Sequence, residues 1–85
     1  MTPAEEPLVL VGDLLAAALP MRAWRTPEVR GDDGHVMARG EHALVVGTWM
    51  VGNQRRIKAV VGQRVLLFSC PDHAVARNWR LARRG

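Results

Sequence analysis

The feature that most constrains this chain is the placement of its glycines. From residue 31 onward five of them fall in short polar groups, Gly31-Asp32-Asp33-Gly34, Gly40-Glu41, Gly52-Asn53 and Gly62-Gln63, separated by runs of five to ten residues. Groups of this kind read as hairpin loops, three of them of the two-residue length that favours primed turns. They imply about five strands, near residues 22–30, 35–39, 42–51, 54–61 and 64–70. Pro27, which cannot donate to a ladder, makes the first of these an edge strand or a bulged one.

A two-residue loop sets the register of the strands it joins, and directly opposed residues share a face. Around Gly52-Asn53 this places Trp49 opposite Arg56 and Thr48 opposite Ile57; around Gly62-Gln63 it places Ile57 opposite Phe68 and Ala59 opposite Leu66. Strict alternation then collects Leu44, Val46, Met50, Ile57, Ala59, Val61, Leu66 and Phe68 on one face as the core. Val45, Val60, Val65 and Leu67 fall on the other, with Trp49, Arg56 and Lys58 at its far end. A sheet apolar on one side and half apolar on its reverse calls for a cover over the second patch, from a helix or a partner subunit.

Two helices are expected to flank the strands. Gly12-Asp13 reads as a cap for a short helix, Leu14 to Leu19, stopped by Pro20. Pro71 and Asp72 suit the start of a second helix running to about Arg83, with Val75, Trp79 and Ala82 as its apolar stripe and Arg77, Arg80 and Arg84 opposite. The expected class is therefore α+β: an antiparallel β-meander of about five strands, barrel-like or strongly curved, with a short N-terminal helix and a C-terminal amphipathic one. In general plan this resembles small PH-like and SH3-like barrels, an architectural likeness that carries no function.

Eighty-five residues make one small domain, which buries only about 60 to 65 per cent of the surface its unfolded form exposes. Residues 1–7, with two Pro and two Glu, read as a flexible leader, and 8–85 as the single domain. With 48% hydrophobic residues the chain is too apolar for a disordered one. Its one cysteine, Cys70, cannot form an internal disulfide, and its first residues lack the basic region of a secretory signal, which points to the cytoplasm. The longest apolar run, Leu8 to Leu19, is interrupted by Asp13 and is too short to cross a bilayer, so no membrane partner is expected.

Charge is unevenly placed. Residues 1–42 carry four Arg against seven acids, whereas residues 43–85 carry seven Arg and Lys58 against Asp72, so the halves stand at −3 and +7. A basic half suggests an anionic partner, nucleic acid being the commonest. Eleven Arg against one Lys is also what GC-rich codon usage produces, which weakens that signal.

Residues able to carry chemistry are few. His35, His42, Cys70 and His73 invite a metal reading, but the register leaves His35 roughly 13 Å from His42, at about 3.3 Å per residue, and Cys70 at the far end of the strand that His42 begins. Cys70 with His73 and Asp72 lacks an oxyanion donor and a well-placed orienting group. No phosphate-binding loop or nucleophile elbow occurs. The expectation is a non-enzymatic protein without a cofactor.

Two surfaces remain. Trp49 beside Arg56 and Lys58 is an aromatic among cations, as at sites that stack a base and meet phosphates, though the same pair can serve packing alone. Trp24, among Arg22 and Arg25, is open to either use. The functional expectation is a small regulatory interaction protein, a homodimer acting by protein contact through Val45, Trp49, Val60, Val65 and Leu67, with a regulatory protein as a further partner. The alternative is a nucleic-acid-binding module in transcriptional control, using Arg55, Arg56, Lys58, Arg77, Arg80 and Arg84, with Arg83 extending the stripe.

Overall fold

The computed structural model describes residues 9–25 and 35–85. The expected leader, the Gly31–Gly34 loop, Pro27 and the second half of the first expected strand lie outside them. The elements in chain order are β1 (Leu14–Ala17), β2 (Met21–Arg25), β3 (His35–Met37), β4 (His42–Val51), β5 (Gln54–Val61), β6 (Arg64–Pro71), a 3-10 turn (Asp72–Ala74), a one-turn helix α1 (Val75–Asn78) and β7 (Trp79–Arg83). The strands form an antiparallel sheet in the order β3-β2-β6-β5-β4-β1-β7.

The centre of this sheet, β4–β5–β6, is the expected meander. Gly52 and Gly62 hold φ of 60° and 62°, while among the described residues none other than glycine has a positive φ. A positive φ at the first loop position alone is the pattern of a type II′ turn, which only glycine enters without strain. The register follows: Trp49 opposes Arg56, Thr48 opposes Ile57, Ile57 opposes Phe68 and Ala59 opposes Leu66. The Gly40-Glu41 loop does not make a hairpin, because β3 pairs with β2 while β4 lies between β5 and β1.

Both expected flanking helices are absent among the described residues, so the α+β class gives way to a mostly β fold. Residues 14–17 form β1, between β4 and β7, with alternating half-buried and buried side chains. A six-residue helix gains too few internal hydrogen bonds to offset its nucleation cost, whereas an inner strand uses its backbone groups on both sides. The C-terminal segment turns helically only from Asp72 to Asn78 and then extends, with Trp79 at φ −129° and ψ 145°. From there it pairs with β1, Trp79 opposite Ala17 and Arg80 opposite Ala16. Val75 and Trp79 are buried as their spacing suggested, but Ala82 is exposed.

One register shift overturns part of the expected core. A bulge between Val45 and Gly47 lets two residues of β4 face one of β5, and beyond it the alternation reverses. Ala43 and Val45 therefore join Ile57, Ala59, Val61, Leu66 and Phe68 inside, while Leu44 and Val46 turn outward, at 41% and 44% exposure. Met50, near the hairpin tip, is also exposed.

The sheet closes over its own inner face. β6 and β7 are four strand positions apart, which in a flat sheet would mean roughly 19 Å at about 4.8 Å per step. Yet the rings of Phe68 and Trp79 meet edge-to-face with centroids 4.9 Å apart. Curvature thus covers the core, with Leu15, Met37, Ile57 and Leu66 fully enclosed.

Candidate functional site

Three rows of side chains cross the outer face of β4–β6. Trp49 lies opposite Arg56, which lies opposite Ser69; Gly47 opposes Lys58, and Lys58 opposes Leu67; Leu44 opposes Val60, and Val60 opposes Val65. Gly47 shapes this surface: a Cβ built there would sit 3.6 Å from Cζ3 of Trp49 and 3.8 Å from Cβ of Lys58, so the indole lies back over the glycine beside the lysine stem. Trp49 remains 41% exposed. Arg56 is half-buried, and its Nε is covered without a hydrogen-bond acceptor among the described residues. No Asp or Glu occupies any of these three rows.

Of the residues expected at an apolar interface, Trp49, Val60, Val65 and Leu67 do share this outer face. Val45 does not: the bulge buries it to 1% exposure and presents Leu44 and Val46 in its place. Backbone register also brings Trp24 on β2 opposite Leu67.

The expected basic set is not gathered in one place. Arg56 and Lys58 stand together beside Trp49. Arg55 faces the other way, donating from Nε to Asp72 Oδ1 at 3.2 Å and from a terminal nitrogen to Thr48 Oγ1 at 3.3 Å. Arg77 is exposed on α1, and Arg80 and Arg83 are exposed on the edge strand β7. Arg84 is committed elsewhere: it donates to Oδ2 of Asp13 at 2.9 Å, a carboxylate that is fully buried and also accepts from the backbone N–H groups of Leu10 and Gly85. The structural part played by Asp13 escaped the sequence reading because its partner is 71 residues away.

A second concavity opens where β2, the end of β6 and α1 meet the core. It is a cavity of about 140 Å³ whose lining includes Ile57, Phe68 and Trp79 together with Arg22, Arg55, Cys70 and Asn78. Burial raises the Cys70 thiol pKa, opposed by a hydrogen bond with Asn78. His42 opposes Ala16 at the start of β4, while Cys70 opposes Arg55, so these two stand at opposite ends of the β4–β5 ladder.

Comparison with known proteins leaves this geometry to speak for itself: no family model, no curated protein and no solved structure matches the chain.

Proposed function

We propose that the protein is a non-enzymatic binding module whose outer β4–β6 face takes single-stranded nucleic acid, in a cytoplasmic setting. The observation that carries this reading is the cluster of Trp49, Arg56 and Lys58, free of acids among the described residues of its strand rows, with the indole laid open over Gly47. An exposed ring beside cations can stack on a base while the cations meet phosphates, and such stacking is worth roughly 1–3 kcal/mol per base. No recognition helix of useful length is present among the described residues, which favours a single strand over major-groove readout.

The test is fluorescence anisotropy with labelled single-stranded oligonucleotides at low salt. Affinity should fall with salt, and exchanging Arg56 and Lys58 together for Gln should reduce the log–log slope by about 1.4, at about 0.7 per cation. Trp49→Ala should weaken binding by roughly five- to a hundredfold. Binding untouched by all three changes, or none at low salt, sinks the proposal.

A homodimer through the same face is the second reading, favoured by the apolar row Leu44–Val60–Val65 with exposed Val46 beside it. It supports the regulatory-interaction expectation. Against it, a two-fold contact brings like-charged rims toward one another. Light scattering of wild type and Val46→Asp separates the readings: a dimer that the substitution dissociates favours assembly.

A further inference from the structure

The cavity beside α1 combines features that the outer face lacks. Its lining includes the edges of Phe68 and Trp79, set edge-to-face at 4% and 2% exposure, with Ile57 enclosed behind them. At about 140 Å³ it is close to the volume of roughly 150 Å³ that accommodates a benzene molecule in an engineered apolar cavity. It therefore has room for one ring or one branched aliphatic side chain.

Its surroundings are cationic. Arg22 is exposed and has no ion-pair partner among the described residues. Arg55 is held from two sides by Asp72 and Thr48, so its guanidinium is positioned before any ligand arrives, which lowers the entropy cost of binding. Asp72 offsets one of these charges, and Arg77 on α1 lies near enough to act electrostatically on Cys70. The Asn78 side chain completes the polar wall. A small hollow whose lining is part apolar and part polar, with guanidinium groups at one side, suits a small ligand that carries both kinds of group.

We propose that this cavity is a binding site for a carboxylate attached to an aryl or branched alkyl group, with the apolar part seated over Phe68 and Trp79 and the carboxylate turned toward Arg22 and Arg55. The chemistry is shared by a free small acid and by a chain ending in an apolar residue. The site lies on the inner side of the sheet and does not depend on nucleic acid binding at the outer face.

The full chain, labelled with ¹⁵N, is titrated with phenylacetate, with 2-phenylethanol as the neutral counterpart and acetate as the charge without the ring. Saturable shifts are expected at Cys70, Asn78 and the indole N–H of Trp79, with a Kd of about 1 mM or tighter. The alcohol should bind about tenfold more weakly or worse, since hydrogen bonds to a charged group are lost. Arg22→Gln, an exposed substitution that leaves the fold intact, should weaken phenylacetate about two- to fivefold. Phenylacetate should also slow alkylation of Cys70. Acetyl-Gly-Gly-Phe as acid and as amide identifies the source: an acid peptide tighter than phenylacetate points to a chain terminus, and a weaker one to a small acid. No saturation up to about 10 mM, equal binding of acid and alcohol, or shifts confined to other residues overturns the proposal.

Discussion

At the scale of single residues, the most constrained group is Asp13. Its carboxylate is fully buried, accepts two backbone N–H groups and meets Arg84, so it ties the segment before β1 to the segment after β7. The packing there leaves no slack: a Cβ on Gly85 would run into the backbone of Gly12. Replacing Asp13 with Ala strands two backbone donors and removes the ion pair, for an expected loss of about 2–3 kcal/mol in chemical denaturation. Arg84 is 40% exposed, so water can solvate it once its partner is gone, and its share of that loss is small. Cys70 gives a pH signature. Burial raises its pKa in the fold, so the unfolded chain gives up the thiol proton first. Its contribution is therefore full below the ordinary thiol value of about 8.5 and declines as pH rises above it. Melting curves across that range should show a steeper alkaline decline for wild type than for Cys70→Ala.

At the scale of elements, the bulge in β4 decides which side chains are inside. It makes two adjacent valines opposite in consequence: Val45 is enclosed, whereas Val46 is exposed. Val45→Asp should cost about 4 kcal/mol or more, because an unpaired carboxylate enters the core, and Val46→Asp should stay within about 0.5 kcal/mol. The reverse ranking in denaturant melts would mean that the strand alternates without interruption. The two tryptophans of known exposure make a similar pair. Trp79, 2% exposed and packed on Phe68, should cost about 3–5 kcal/mol on truncation to Ala, while Trp49→Ala, at 41% exposure, should cost well under half of that.

At the scale of the whole molecule, curvature replaces a second layer. Because β7 comes round to β6 through Trp79 and Phe68, the inner face needs no covering helix, and the outer face is left to water or to a partner. The edge strand β7 carries Arg80 and Arg83, and charges on an edge discourage a further strand from pairing there. Self-association by pairing along β7 is therefore not expected. A dimer, if light scattering at high micromolar concentration finds one, should respond to Val46→Asp and not to changes in β7. No helix among the described residues is long and apolar enough to cross a membrane.

The β4–β5–β6 hairpins were legible because their information is local: glycine at the first position of a two-residue loop sets a turn, and the turn sets every opposed pair after it. The Trp49–Arg56–Lys58 cluster was legible for the same reason. Contacts between distant segments were not. The residues of β1 and β7 carry helix-compatible spacing, and the open backbone of distant strands, β4 and β7 for β1 and β1 for β7, with Ala17 and Trp79 62 residues apart, makes extension the better use of their hydrogen bonds. The bulge that exchanges Val45 for Leu44 and Val46 has no signature in the alternation it interrupts, and the cavity between β2, β6 and α1 exists only once the sheet has curled. Turn chemistry and pairwise register thus belong to the sequence by itself. The choice of strand over helix at both ends, the side of β4 that is buried and the concavities were decided by tertiary structure, because each depends on which distant backbone or side chain satisfies a group that the local segment cannot.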